Sequence, residues 1–189
     1  SYNYAYNLGT LEIASENTNN ATMYGMYAKI DNTSEYINIY NQGHIKIDMG
    51  TSADSTAYGM YNIKGGIYTK EDSDITITST NNGTAYGIYA DNVTVRNHGN
   101  ITLTGVNPDT SYGIYAVNGS KVYNQGKITI NGSSHSDNTA NGNFIYIDAT
   151  SEFVNKEDIS FATSFDTAAL GGGKFVLGKD GKITAPEIK

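Results

Sequence analysis

The chain has 189 residues, with 12 Lys and Arg against 19 Asp and Glu, giving a formal net charge of -7. That balance repels nucleic-acid phosphates and anionic lipid head groups, so no nucleic acid is expected as a partner. The chain contains no cysteine, which excludes disulfides and thiolate metal sites, while 16 tyrosines, 21 glycines and only two prolines favour strands and turns over helices.

Taken in chain order, two units alternate. The first copy of one is Asn7-x-Gly9-x-Leu11-x-Ile13, and the other appears at Tyr24-Gly25-Met26-Tyr27. The first unit returns in full as Ile37-x-Ile39-x-Asn41-x-Gly43-x-Ile45-x-Ile47, where aliphatic residues recur with a period of two and predict strand. Next come Tyr58-Gly59-Met60-Tyr61 and a degraded copy with the same parity, Ile67, Thr69, Glu71, Ser73, Ile75 and Ile77. Tyr86-Gly87-Ile88-Tyr89 precedes Val93-x-Val95-x-Asn97-x-Gly99-x-Ile101-x-Leu103, and Tyr112-Gly113-Ile114-Tyr115 precedes Val122-x-Asn124-x-Gly126-x-Ile128-x-Ile130. Asn143-Phe144-Ile145-Tyr146 is followed by Phe153, Asn155, Glu157, Ile159 and Phe161, and a last copy runs through Phe175, Leu177, Lys179, Gly181, Ile183 and Ala185. The seven anchors therefore fall at 7, 41, 71, 97, 124, 155 and 179.

A hairpin reading would place a two-residue primed turn between strands that face each other. Here the inward parity instead runs unbroken through Asn-x-Gly, so the chain bends while keeping one face turned to the core. The Asn-x-Gly unit supplies two sides of a coil and the Tyr-Gly-Ile-Tyr unit a third, and each circuit begins again about 4.8 Å above the last. The predicted fold is all-β: a right-handed parallel β-helix, or β-solenoid, of about seven degenerate coils. Residues 1–161 form the coils, and 162–189, opening with a pattern-breaking stretch that ends in Gly171-Gly172-Gly173, form a degenerate final coil or C-terminal cap of the same domain. Inward asparagines in consecutive coils predict a hydrogen-bonded ladder of Asn41, Asn97, Asn124 and Asn155, interrupted at Glu71 and Lys179.

Tyrosines three apart cannot share one face of a regular strand, so one column is expected outside. With Met26, Met60, Ile88 and Ile114 inward, that column is Tyr27, Tyr61, Tyr89 and Tyr115. It is a candidate surface for stacking on a glycan or a partner protein; the alternative is mutual stacking that stabilises the sheet. The columns Thr76/Thr78, Thr102/Thr104 and Thr129/Asn131 project outward from the Ile-x-Ile strands in a way similar to the threonine arrays of ice-binding solenoids, with Lys46 and Asp48 breaking the pattern.

His44, His98 and His135 occupy different positions in the repeat, so no shared metal site is expected, and the acidic run Glu71-Asp72-x-Asp74 reads as a solvated loop. No nucleophile elbow, phosphate loop or zinc-protease helix occurs, and no carboxylate pair recurs beside Arg96, the only arginine. The expectation is accordingly no enzyme, no cofactor and no metal, with a polysaccharide-active β-helix enzyme or a self-assembling extracellular fibre subunit as alternatives. No apolar run approaches the roughly 20 residues of a membrane-spanning helix. No secretory signal opens the sequence, so a soluble stretch is expected, with any export signal already removed.

The run Thr84-Ala85-Tyr86-Gly87-Ile88-Tyr89-Ala90, followed by Val93-x-Val95-x-Asn97-x-Gly99-x-Ile101, resembles the passenger-domain repeats of autotransporter adhesins of the type V secretion class. The likeness covers about Tyr4 to Phe161 and continues more weakly to Ala185. It implies a β-helix displayed outside a Gram-negative cell, at the surface or released. There it would serve adhesion to a host-cell protein or glycan or to neighbouring cells, or aggregation; self-association through coil ends is a separate expectation, from the exposed backbone edges a coil presents there.

Overall fold

Strand-forming residues with a two-residue aliphatic period leave no helical face to bury, and the chain folds as stacked parallel strands. The structure, a computed structural model, describes residues 2–15, 20–31, 34–52, 54–131, 145–156, 158–161, 173–177 and 182–184, among which there are strands and no helix. In chain order these are β1 (Tyr2–Asn7) and β2 (Thr10–Ala14); β3 (Thr22–Lys29), β4 (Tyr36–Asn41) and β5 (His44–Asp48); β6 (Thr56–Thr69) and β7 (Asp74–Thr78); and β8 (Thr84–Asn97) and β9 (Asn100–Thr104). They continue as β10 (Tyr112–Val117), β11 (Lys121–Asn124) and β12 (Ile128–Asn131); β13 (Ile145–Ile147), β14 (Glu152–Asn155) and β15 (Asp158–Phe161); and β16 (Lys174–Leu177) and β17 (Lys182–Thr184).

Three walls result. The tyrosine wall stacks β3, β6, β8, β10 and β13; the second stacks β1, β4, β6, β8, β11, β14 and β16; the third stacks β2, β5, β7, β9, β12, β15 and β17. β6 and β8 are each 14 residues long and turn the corner between the first two walls without a break. Four consecutive turns with all three walls run from Thr22 to Asn131, and the remaining strands extend the same sheets at either end.

Like stacks on like. Ile45, Ile75, Ile101 and Ile128 are successive partners in the third wall, and Ile39, Ile67, Val95, Val122 and Phe153 in the second. All nine are buried, and Met60, Ile88, Ile114 and Ile145 of the tyrosine wall close the core from the other side. An isolated coil orders some two dozen residues around a handful of aliphatics, which cannot balance the entropy lost, so stability resides in the stacking.

The walls meet at corners that select their residues. Lys64, Asn92 and Asn118 each adopt a positive φ, between 54° and 71°, where the tyrosine wall turns into the second wall. Asparagine tolerates that conformation because its short side chain bonds locally. Asn62, fully buried where neighbouring coils carry Ala28 and Ala90, spans this corner: its amide donates to the carbonyls of Ile37 (2.9 Å) and Gly66 (3.0 Å).

Two expected anchors are corrected. The residue in register with Asn41 and Asn97 is Thr69, not Glu71, because Ser73 replaces the glycine and the bend holds two additional residues with Asp72 left-handed at φ 66°. At the C-terminal end Leu177, not Lys179, pairs with Asn155, and Lys179 lies outside the described residues. In both places the backbone register follows the aliphatic positions, Ile67 under Val95 and Phe153 under Phe175, and the bend absorbs the mismatch.

Candidate functional site: the tyrosine wall

The Tyr-Gly-aliphatic-Tyr unit does something a regular strand cannot. In β6 the run Tyr58, Gly59, Met60, Tyr61 reads outward, inward, inward, outward, and β8 and β10 repeat it at Tyr86–Tyr89 and Tyr112–Tyr115. The bend sits at the glycine, which drops out of the cross-strand register while the tyrosines on either side keep it. Glycine is required because the wall there approaches the third wall closely. A Cβ on Gly87 would lie 2.5 Å from the Ile101 Cγ2 methyl and 2.5 Å from the Gly113 carbonyl oxygen. Gly25 and Gly59 meet Ile45 and Ile75 in the same way.

The consequence is that both tyrosines of each unit face out. The expected column of Tyr27, Tyr61, Tyr89 and Tyr115 lies outside, and it is joined by a second, Tyr24, Tyr58, Tyr86 and Tyr112, which strict alternation had turned inward. Within the first column ring centroids are 5.1, 4.6 and 5.3 Å apart with planes within 17°, and Tyr146 extends it at 4.5 Å. Within the second the spacings are 5.0, 4.8 and 5.6 Å with planes within 20°. Between columns the rings meet edge-on, as for Tyr58 against Tyr61 at 5.2 Å and 87°. The wall is a herringbone of nine rings across five strands.

This geometry decides what the wall presents. An interior ring has both faces covered by the rings above and below, so it offers solvent its edge and its hydroxyl. Among the described residues the end rings of the two columns, Tyr24 and Tyr27 on β3 and Tyr112 and Tyr146 at the other end, have a ring stacked on one face only. Rigid amphipathic rings with displayed hydroxyls make contacts at low cost in side-chain entropy. A third stack of Tyr6, Tyr40 and Tyr68 continues around the corner, and one coil further on Arg96 lies over the Tyr123 ring at 4.9 Å.

Burial, then the neighbouring phenols, hold these protons on. The hydroxyls of Tyr58, Tyr61, Tyr86, Tyr112 and Tyr115 are all pushed above the ordinary tyrosine value, and burial together with Tyr61 and Asp91 lifts Tyr89 to about 12. A pKa raised on folding means the native state keeps a proton that the unfolded chain releases. The contribution to stability is therefore intact below about pH 10 and is lost as pH rises through the folded values, near 12 for Tyr89. Phenolate absorbance near 295 nm should rise together with loss of strand circular dichroism above about pH 10. Reversible ionisation of Tyr58, Tyr61, Tyr86, Tyr89, Tyr112 and Tyr115 near pH 10, with structure intact, would contradict the arrangement.

The asparagines form a ladder in two runs. Asn7 Nδ2 donates to Asn41 Oδ1 (2.8 Å), and Asn97 Nδ2 donates to Asn124 Oδ1 (2.6 Å). Thr69 stands in the gap and its hydroxyl donates to Asn97 Oδ1 (2.6 Å), while Asn41 Nδ2 turns to the Asp74 carbonyl (3.2 Å). Each amide also holds its own bend, Gly43 N–H reaching Asn41 Oδ1 and Asn97 Nδ2 reaching the Gly99 carbonyl. Asn155 pairs with Asn124 through the backbone, and its side chain lies outside the described residues.

The remaining candidates do not converge. His44 pairs with Asp74 and is half-exposed, His98 lies on another bend, and His135 is outside the described residues. Among the described residues no group of three or more His, Asp or Glu side chains is placed to hold a metal ion. Thr76, Thr102 and Thr129 are successive partners on the outer face of the third wall, in one column with Lys46 and Glu12, which pair at 3.5 Å. No helix among the described residues is long and apolar enough to cross a membrane. Comparison with known protein families, curated proteins and solved structures finds no match to this chain.

Proposed function

We propose that the chain is an autotransporter-like passenger segment, secreted or held at a bacterial surface. In this reading it is a non-enzymatic adhesive spacer whose tyrosine wall contacts a protein or glycan of a host or neighbouring cell. The observation that carries this reading is the wall itself: two tyrosine columns kept outside by a glycine bend, when burying one of them would satisfy the same repeat. A regular array of half-exposed ring edges and hydroxyls on a rigid scaffold offers contacts at low cost in side-chain entropy. The solenoid supplies the rigidity, and about seven coils give a rod roughly 30 Å long. A right-handed winding is part of the proposal, because parallel crossover connections take that hand in about 98% of cases.

The test replaces Tyr89 and Tyr115 together by serine and compares binding to glycan surfaces and to cells with the unaltered chain. Loss of the stacks is expected to lower stability by about 2 kcal/mol, with binding reduced tenfold or more, about 1.4 kcal/mol. Unchanged binding beside lowered stability would leave the wall a purely structural role. Incubation with acidic polysaccharides is expected to yield no cleavage products, and their appearance would overturn the non-enzymatic reading.

A further inference from the structure

An oxidant arriving at this chain meets mainly phenol. Thiols and thioethers are the side chains that oxidants commonly modify first. The sequence has no cysteine and no tryptophan, and its four methionines, Met23, Met26, Met49 and Met60, are all buried. Sixteen tyrosines remain, and the interior rings of the wall, Tyr58, Tyr61, Tyr86, Tyr89, Tyr112 and Tyr115, are half-buried with their edges toward solvent.

The wall also sorts these phenols into pairs. Tyr61 and Tyr89, on adjacent strands, hold their rings 4.6 Å apart and 7° from parallel, and Tyr89 and Tyr115 follow at 5.3 Å and 11°. Tyr58 and Tyr86 repeat this in the second column at 4.8 Å and 8°. Because the strands are parallel and in register, like carbons of neighbouring rings lie side by side, including those ortho to the two hydroxyls. Two phenols joined by a direct carbon–carbon bond keep their ring centres at nearly the distance of this stack. Coupling therefore needs the half-exposed rings to tip about their side-chain bonds while the strands stay in place.

We propose that the tyrosine wall is a site of oxidative cross-linking, where phenols of adjacent coils couple into dityrosine and staple the solenoid, with a haem peroxidase and hydrogen peroxide as the oxidant. Each phenol gives one electron to the peroxidase and its hydroxyl proton to water, leaving a phenoxyl radical. The two radicals join through their ortho carbons in one new carbon–carbon bond, and the hydrogens on those carbons shift to the oxygens and restore both hydroxyls. One hydrogen peroxide takes up the two electrons and two protons and becomes two waters. Each link closes a loop one coil long, and in a chain without disulfides it removes conformational freedom from the unfolded state. This chemistry stands apart from whatever partner the wall contacts.

The test treats the full chain, at low concentration, with a haem peroxidase and hydrogen peroxide and then digests it with trypsin. Cleavage after Lys46, Lys64, Lys70, Arg96 and Lys121 leaves the wall tyrosines of three successive coils in separate fragments, 47–64, 71–96 and 97–121. Dityrosine fluorescence is expected on a chain that stays monomeric under denaturing conditions, each link lowering the mass by two hydrogens. Fragment 71–96 should be joined to 47–64 and to 97–121. Fragments 47–64 and 97–121 should be joined to each other about tenfold less often, since their strands lie two spacings, about 9.6 Å, apart. The linked chain should melt about 10 °C higher. A chain carrying Tyr86→Phe and Tyr89→Phe keeps the stacked rings and should lose both joins with unchanged circular dichroism. The proposal is overturned by oxidation that yields no dityrosine, by links formed mainly between chains, or by the same proportions of joined fragments from chain unfolded in urea. An unchanged melting temperature in the linked chain would overturn the staple.

Discussion

Replacing Gly87 by alanine is expected to destabilise the fold by about 3 kcal/mol, out of proportion to a single methyl group. The new Cβ would meet the Ile101 methyl and the Gly113 carbonyl oxygen, each at 2.5 Å. The isoleucine could rotate in a looser core, but Ile101 is buried between Ile75 and Ile128. The carbonyl belongs to the next coil and moves only if the stack opens. Gly9→Ala is the control, since nothing lies within 4 Å of a Cβ there, and its effect should fall within about 0.5 kcal/mol of zero. Urea unfolding of both variants checks the pair. Equal midpoints would mean the glycine bend is not what brings the tyrosine wall against the third wall.

The second large effect is expected at Asn97. Its amide donates to Asn124 Oδ1 and to the Gly99 carbonyl, and its oxygen accepts from the Thr69 hydroxyl, all in a site closed to water. Asn97→Ala removes three bonds and leaves partners of three consecutive coils unsatisfied, with an expected cost of about 3 kcal/mol. The bonds form one chain, so a cycle with Asn124→Ala should show coupling of about 1 kcal/mol. Simple additivity in denaturant unfolding would show the two amides to be independent, contrary to the ladder.

The parallel stack was legible because inward aliphatics and bend asparagines recur with fixed parity while insertions fall in the connections, and the observed register joins those residues. Ile45, Ile75, Ile101 and Ile128 needed no more than their period of two. What escaped was the local departure from that period. Two inward residues in succession at Gly87-Ile88 look, in sequence, like any strand, and only the close approach of Ile101 explains why the bend is there. A signal existed, since glycine held its place between the two tyrosines in four units. Glu71 misled for the opposite reason: parity continued through a bend with two extra residues, so the anchor appeared two places late. Nor does the sequence announce that ring faces are consumed by stacking, because that follows from the coil spacing matching an aromatic stack.

The most direct test of the fold is a set of distances along one outward column. Spin labels placed pairwise from Thr129 to Thr102, Thr76, Lys46 and Glu12 sit on successive strands of the third wall. A parallel in-register stack predicts separations that grow by about 4.8 Å per strand, reaching about 19 Å at Glu12. Distances that fail to increase in that order, as folded-back hairpins would give, would contradict the solenoid and with it the tyrosine wall.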